Sequence, residues 1–198
     1  MKIAIFSHCT VDEISRDGTL VETAGGPACY CGLTARNLKF DVEFHTKIGP
    51  DFTHKEFLEK NKIFIPQRSI TDVPTTRFLL EISGTDRNLY LKTKCLPIEY
   101  EKSDADGCII SPVFDEISFE TLEKIKKDVR FTLLDPQGFL RRIDENNKIH
   151  LERTEMDLSN ITAIKVDMDE AYSLAEALIE KTSNYLKATD FGFSIPAS

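Results

Sequence analysis

Several features that mark whole classes of protein are missing from this chain of 198 residues. No apolar run approaches the ~20 residues of a membrane span, and we expect no membrane partner. The N-terminal MKIAIFSHCT lacks the cleavage region of a signal peptide and predicts a buried first strand. There is no repeat or low-complexity tract. With 41% apolar and 29% charged residues, the composition excludes collagen-like and mostly disordered chains.

Cysteines are few and unevenly placed. Their number is odd and no pair has C-x-x-C spacing, so we expect neither a disulfide framework nor a structural zinc site. We predict that they are small buried side chains in a reducing cytoplasm. The five are Cys9, Cys29, Cys31, Cys95 and Cys108.

Positive charge is also scarce. The chain has 25 basic and 33 acidic residues, a net charge of −8, and a pI near 5.1. This balance argues against binding to a nucleic-acid backbone, although it allows a small basic pocket. The histidines show no metal-ligand spacing and are expected to be structural or solvated. They are His8, His45, His54 and His150.

Strand-like and helix-like runs alternate along the chain. This alternation predicts a parallel α/β sheet flanked by helices in one domain spanning 1–198. The predicted strands are 2–6, 42–48, 108–110, 131–134 and 162–166, and the predicted helices are 27–38, 53–60, 118–127 and 169–179. We expect Thr53 to cap the second helix. The side chains expected to face inward are Phe119, Leu122 and Ile125 in the third helix and Ala171, Leu174, Ala175, Leu178 and Ile179 in the fourth.

Two segments interrupt this alternation. Residues 18–23 and 77–91 look like exposed strands with no helix between them. Gly84-Thr85-Asp86-Arg87 fits a hairpin turn inside the second segment. Together they predict a small separate sheet that projects from the main body, although an ordinary surface hairpin is an equal alternative.

A glycine pair precedes the first predicted helix. Gly25 and Gly26 permit positive φ and close approach of a ligand, and the following helix N-terminus offers free N–H groups. These features suit hydroxyls or an anion, but a turn that only starts the helix is equally compatible. The dinucleotide fingerprint G-x-G-x-x-G is absent, which argues against a nicotinamide-binding protein. Asp12, after the first strand, could accept two hydroxyl hydrogen bonds or be a solvated loop residue.

The stretch from Ala24 to Asp51 resembles the N-terminal signature of the PfkB/ribokinase-like carbohydrate kinases. In that family Gly-Gly is followed by a small-residue helix, a strand and G-x-D, here Gly49-Pro50-Asp51. Two positions depart from the pattern. Tyr30 stands where the family has an Asn that helps to hold the sugar, so it would stack on the substrate or block it. Lys39 replaces the usual glycine near the helix end.

Two further segments are similar to the family. LDPQGFLR, from Leu134 to Arg141, resembles its strand-end D-x-x-x-x-x-R; the alternative is an Asp-Pro turn with a surface arginine. KVDMDE, from Lys165 to Glu170, resembles K-x-N-x-x-E with Asp in place of Asn. There the alternative is a helix start carrying acidic residues that favour its dipole.

The resemblance implies a ribokinase-like Rossmann-type sheet and a small β-lid formed by about residues 12–24 and 74–96. It implies phosphorylation of a hydroxyl on a sugar, polyol or nucleoside, with ATP as co-substrate and Mg²⁺, and inositol is the specific substrate suggested. A homodimer through the lid would follow. The implied substrate-binding residues are Asp12, Gly25, Gly26, Tyr30, Thr76 and Arg87. The implied nucleotide and phosphate residues are Asp135, Arg141, Asp167 and Glu170, with Glu170 also placing the metal.

One family motif is missing from the sequence. The family's G-x-G-D supplies the base that deprotonates the sugar hydroxyl, and its backbone N–H groups form an anion hole. No G-x-G-D occurs here, so no catalytic residue is assigned and a C-terminally truncated fold is expected. The alternative function is a catalytically incomplete sugar-binding or dimerising remnant of such a kinase.

Overall fold

The main body is a parallel sheet with helices on its two faces. In this computed structural model, residues 1–174 are described, so the predictions for Ala175, Leu178 and Ile179 lie outside the described residues. The five strands of the main sheet are β1 (Lys2–Phe6), β4 (Asp41–His45), β7 (Gly107–Ile110), β8 (Phe131–Leu134) and β11 (Ala163–Ile164). They run in the order β11-β8-β7-β1-β4. The helices are α1 (Gly26–Asn37), α2 (Lys55–Lys60), α3 (Phe119–Asp128), α4 (Gln137–Leu140) and α5, described over 168–174.

Alternate residues of the central strands belong to two separate apolar clusters. Ala4 and Phe6 of β1 pack in the cluster that includes α3, whereas Ile3 and Ile5 pack in the cluster that includes α1. This is the two-sided burial that parallel strands require, and it explains why they appear as short apolar runs in the sequence. The predicted parallel α/β body is therefore confirmed.

A second sheet of four strands forms the lid. Its strands are β2 (Thr10–Arg16), β3 (Thr19–Gly25), β5 (Arg77–Ser83) and β6 (Asp86–Thr93). They run in the order β3-β2-β5-β6. β2 was not predicted as a strand, and Asp12 lies within it rather than in a loop. Asp17 and Gly18 have positive φ angles of 51° and 78° in the tight turn between β2 and β3.

Three local predictions were wrong or incomplete. Thr53 does not cap α2, which begins after His54 with no side-chain cap. Phe119 is 45% exposed rather than inward, because it is the first residue of α3 and stacks on Phe139 at the edge of the core. A short hairpin of β9 (Arg141–Ile143) and β10 (Ile149–Leu151) was not predicted. Each strand has only three residues, too few for a period of two to be recognised.

The end of α1 has a left-handed residue that is not glycine. Lys39 has a φ of 68°, its N–H donates to the Arg36 carbonyl, and the Phe40 N–H donates to the Ala35 carbonyl at 2.9 Å. These two bonds form a Schellman motif, in which glycine is the usual residue at the position of Lys39. The structure thus gives a physical reason for the glycine that the family pattern has there.

Candidate substrate and phosphate site

A cavity of about 270 Å³ lies between the lid and the carboxyl edge of the main sheet. On the lid, Asp12 pairs with Phe78 and Ile14 pairs with Leu80, so side chains two residues apart share the face that lines the cavity. The body supplies the start of α1, the loop after β7 and the region of α4. The lining residues are Thr10, Asp12, Ile14, Gly26, Pro27, Tyr30, Phe78, Leu80, Leu89, Val113, Gln137 and Arg141.

The glycine pair lies directly beside Asp12. Gly25 is paired with Thr10 across the lid strands, and a Cβ on Gly25 would come within 1.9 Å of Asp12 Oδ2. Gly26 has a φ of 82°, and a Cβ there would lie 2.4 Å from the His8 carbonyl oxygen. Position 25 therefore requires glycine to leave room for the Asp12 side chain. Position 26 requires glycine because its backbone has a positive φ angle. Gly26 starts the helix and lines the cavity, whereas Gly25 leaves room for the Asp12 side chain that lines it.

Asp12 is a partly buried carboxylate at the wall of the cavity. It accepts a hydrogen bond from Thr10 Oγ1 at 2.7 Å. Burial raises its pKa, against the opposing effects of this hydrogen bond and of the positive charge on Arg141. A ligand hydroxyl that donates to Asp12 would replace part of the lost hydration.

Tyr30 stands one turn after Gly26 on α1. It is 58% exposed, and its hydroxyl donates to the Ala24 carbonyl at 3.3 Å. Burial raises the pKa of the phenol, and the nearby negative charge of Asp12 adds to the rise. The side chain lines the cavity, beside the place where a ligand would meet Asp12.

Arg141 brings positive charge to the opposite wall of the cavity. Its Nη1 donates to the Val113 carbonyl at 2.9 Å. Burial lowers the pKa of this guanidinium, and the surrounding carboxylates oppose that change. Those carboxylates are Glu170, Asp135, Glu116 and Asp167. Arg141 thus lies between Asp12 on one side and an acidic cluster on the other.

The acidic cluster is built at the ends of two neighbouring strands. Asp135 follows β8, and its Oδ2 lies 3.2 Å from Lys165 Nζ, which follows β11. Asp167 N–H donates to Glu170 Oε2 at 2.9 Å and Glu170 N–H donates to Asp167 Oδ1 at 2.8 Å. This reciprocal pair is a capping box at the start of α5. The acidic helix start considered as an alternative for these residues is therefore present in the structure.

The carboxylates of the acidic cluster lie close to one another and to two positively charged side chains, Lys165 and Arg141. Glu170 is only 4% exposed, and burial together with Asp135 and Asp167 raises its pKa. Lys165 has a raised pKa, because attraction to Asp135 and Glu170 outweighs the burial that would lower it. Among residues 1–174, no group of three or more His, Cys, Asp or Glu side chains is placed to hold a metal ion. These carboxylates fit Mg²⁺ only if phosphate oxygens of a bound donor supply most of its ligands and one or two carboxylates supply the rest.

Two of the substrate-binding residues implied by the resemblance, Thr76 and Arg87, lie away from the cavity. Thr76 is fully buried, and its hydroxyl bonds His8 Nδ1 at 2.8 Å and the Cys95 N–H at 3.0 Å. Because His8 belongs to the body, Thr76 joins the lid to the body, and burial lowers the pKa of His8. Arg87 is exposed on β6, near the lid turn, and does not line the cavity.

Asp51 of the G-x-D element lies at the hinge of the lid. Its Oδ1 accepts from the Thr75 N–H at 2.7 Å and from the Thr75 hydroxyl at 2.8 Å, and its Oδ2 is 3.6 Å from Arg77 Nη2. Burial would raise the pKa of Asp51, but the bonds from Thr75 and the charge of Arg77 hold it below its ordinary value. The motif thus fixes the lid where it leaves the body.

Sequence reasoning missed several residues of the site, among them three polar ones. Thr10 and Gln137 line the cavity, and the fully buried Glu116 holds the loop that carries Val113. Thr10 could have been found from its period-two relation to Asp12. No sequence signal marks Glu116, since an acidic residue ahead of a helix is usually only a dipole or cap residue.

The architecture matches solved kinase structures. The chain has a ribokinase-like fold. A pyrophosphate-dependent kinase in the ribokinase family, solved as a sulfate complex, superposes with a TM-score of 0.76 at 19% identity, covering 94% of this chain and 69% of that one. The structure of such a kinase with a pyrophosphate analog and myo-inositol gives a TM-score of 0.75 at 20% identity and the same coverage. Ribokinase from Thermotoga maritima gives 0.62 at 16% identity, covering 94% of this chain and 68% of that one.

These matches confirm, at the level of the fold, the resemblance drawn from the sequence. No protein-family model matches the ribokinase-like chain, and no curated protein matches it. At identities of 20% or less, the three structures establish the fold alone. In the part of the chain that the structure describes, no helix has the length and apolar character needed to cross a membrane.

Proposed function

We propose that the cavity is the acceptor site of a kinase that phosphorylates a hydroxyl group on a sugar, polyol or nucleoside. The observation that carries the proposal is the placement of Asp12 beside the glycine pair, in a cavity lined by lid residues on one side and by Arg141 on the other. A carboxylate suits adjacent hydroxyls because it can accept from both.

On the acceptor side, each element has a defined task. Asp12 binds and orients hydroxyls, while Gly25 and Gly26 let the ligand approach the start of α1. The lid side chains Phe78 and Leu80 exclude water, which would otherwise compete for the phosphoryl group. Tyr30 covers one flank and restricts the shape of the acceptor. Thr76 does not contact the ligand but holds the lid in position through its hydrogen bonds with His8 and Cys95. For Arg87, a role in substrate binding requires movement of the lid.

On the donor side, Arg141 and Lys165 would hold phosphate oxygens. Their carboxylate partners Asp135, Asp167 and Glu170 keep both cations in place when no donor is bound. Mg²⁺ would be held by Glu170 together with the phosphates, and its contribution would be to neutralise phosphate charge. ATP is the proposed donor. Pyrophosphate is the second candidate, because the kinase named in the first matches is pyrophosphate-dependent.

The acceptor and donor can be tested together. The chain would be incubated with Mg-ATP or Mg-pyrophosphate and, in turn, with myo-inositol, ribose or inosine, and the phosphorylated product would be measured by mass spectrometry. Myo-inositol is the acceptor proposed first. The expected result is product formation with one of them, lost in Asp12→Asn and retained in Gly84→Ala, a lid substitution away from the cavity.

Three outcomes are informative. Product formation supports the kinase. Calorimetric binding of an acceptor without turnover supports the alternative function, a sugar-binding module that lacks the base and anion hole of the missing G-x-G-D. Absence of both binding and turnover with every acceptor would overturn the proposal.

We also propose that the protein forms a homodimer and that it is located in the cytoplasm. Leu20 on the lid strand β3 is 61% exposed, and we propose that it packs in a homodimer through the lid. Sedimentation of Leu20→Glu as a monomer, against a dimeric unmodified chain, would support this. The free cysteines agree with the cytoplasm, where thiols stay reduced; four are buried and Cys31 is partly exposed.

A further inference from the structure

Glu116 is a buried carboxylate that no step of the proposed function uses. It is 0% exposed and lies between β7 and α3. Its Oε1 accepts from the His8 N–H at 3.1 Å and the Val113 N–H at 2.7 Å, and its Oε2 accepts from the Phe114 N–H at 2.8 Å. One side chain thus binds backbone from the ends of two neighbouring strands, β1 and β7.

The bond from the His8 N–H to Glu116 leads to one side of the cavity, formed by Gly25, Gly26 and the first turn of α1, which we call the glycine wall. The His8 carbonyl lies so close to Gly26 that a Cβ at Gly26 would be 2.4 Å from its oxygen and 3.2 Å from the Thr10 nitrogen. The position of the His8 peptide therefore sets the position of Gly26 and of the first turn of α1. A displacement of His8 would move the glycine wall relative to Asp12.

The bonds from Val113 and Phe114 to Glu116 lead to the other side of the cavity, formed by Val113, α4 and Arg141, which we call the arginine wall. The Val113 carbonyl accepts from Arg141 Nη1 at 2.9 Å. The same loop is bonded to α4, with the Asp115 N–H donating to the Gly138 carbonyl at 2.9 Å and the Gly138 N–H donating to the Pro112 carbonyl at 3.0 Å. Fixing Val113 therefore fixes both α4 and Arg141.

A carboxylate suits this junction better than a neutral side chain. Its two oxygens can accept several N–H bonds, and charge-assisted bonds are stronger than neutral ones. Its negative charge also attracts the guanidinium of Arg141, which lies within electrostatic range. An amide of the same size would turn an NH₂ group toward one of the backbone donors.

We propose that Glu116 is a positioning residue that holds the glycine wall and the arginine wall of the cavity at a fixed separation. The inference deepens the proposed function and rests on it for the meaning of the cavity. The contacts of Glu116 themselves are independent of any ligand. A role confined to local loop stability would affect only the amides that Glu116 binds directly.

The test compares Glu116→Gln with Ile125→Val, a core substitution in α3 remote from the cavity. Hydrogen exchange is measured by mass spectrometry without ligand, with the Ile125→Val chain as the standard for general destabilisation. Glu116→Gln is expected to speed exchange about tenfold beyond this standard in segments 24–30 and 139–143, besides the directly bonded amides. Glu116→Asp, which keeps the charge, is expected to recover part of the protection, and it serves as the test variant if the amide does not fold.

Binding gives the second readout. Calorimetry with myo-inositol is expected to show at least tenfold weaker binding in Glu116→Gln and unchanged binding in Ile125→Val. Faster exchange confined to the loop around 113–114 and residue 8 would overturn the inference, as would unchanged binding of myo-inositol. Failure of the unmodified chain to bind myo-inositol would count against the proposed acceptor alone, since the exchange experiment would still decide the role of Glu116.

Discussion

The carboxylate of Asp12 occupies the space that a side chain on Gly25 would need. A Cβ on Gly25 would lie 1.9 Å from Asp12 Oδ2 and 2.6 Å from Oδ1. The two residues are on neighbouring lid strands, β2 and β3, and Asp12 is paired there with Thr23. The absence of a side chain at position 25 is therefore what allows Asp12 to face the cavity.

Gly25→Ala should weaken acceptor binding with little loss of stability. Gly25 has a φ of −132°, which alanine adopts without strain, so the new methyl group only displaces the flexible end of Asp12. We expect binding to weaken at least tenfold and the free energy of unfolding to change by less than about 1 kcal/mol. Calorimetry and urea unfolding measure the two effects. Gly84→Ala, at a φ of 60°, should do the reverse and lower stability while binding is retained.

Asp12→Asn should stabilise the protein at neutral pH and weaken acceptor binding. Burial raises the pKa of Asp12 above its ordinary value of 3.8, so its contribution to stability is complete below pH 3.8 and is lost as pH rises through the folded-state pKa. Replacing a charge-assisted acceptor should weaken binding roughly tenfold to a hundredfold.

Unfolding curves over a range of pH test the stability effect of Asp12→Asn. The stability gain should be largest above the folded-state pKa and vanish below the ordinary value of 3.8. A stability difference that stays constant across pH would contradict the assigned cause.

Lys39→Gly should stabilise the end of α1. Lys39 closes a Schellman motif at a φ of 68°, a conformation that L residues adopt at a cost and glycine adopts freely. The expected gain in the free energy of unfolding is about 1 kcal/mol. Lys39→Ala removes the same long side chain but keeps the Cβ, so it should show no gain. Equal stabilities of the two variants in urea would mean that backbone strain is not the cause.

Asp167→Asn should strengthen phosphate binding without loss of stability. Asn can still accept the Glu170 N–H through Oδ1 and remains a good cap, so stability should stay within about 0.5 kcal/mol. The substitution removes a negative charge near Arg141 and Lys165. We expect pyrophosphate to bind about twofold to fivefold more tightly by calorimetry at low salt. Asp169→Asn, an exposed neighbour on the same turn, should leave the affinity unchanged.

Short-range features of the site could be predicted from the sequence. Gly25 and Gly26 before a helix, and the acidic turn containing Asp167 and Glu170, are local patterns whose backbone geometry depends on adjacent residues. Asp12 was predicted to bind substrate from a position after the first strand, and the structure places it within β2, at the wall of the cavity. The strand that carries it, TVDEISR, has only two apolar residues, Val11 and Ile14, and they are three positions apart, so no period-two apolar pattern marks it as a strand.

Other residues were placed by contacts between distant parts of the chain. Thr76 looked like a lid contact for the substrate, but the pairing of the lid with the body buries it against His8. Glu116 gives no local signal, and its partners lie 108 and three residues away along the chain.

The sequence by itself determined the alternation of strands and helices, the glycine pair and the acidic turn, because each depends on propensity, periodicity or backbone freedom within a few residues. Only the tertiary structure decided that Asp12 and Arg141 share one cavity, that Thr76 is internal and that Glu116 joins the two walls. Strand order and lid packing set these distances, and both depend on the burial of apolar surface contributed by the whole chain.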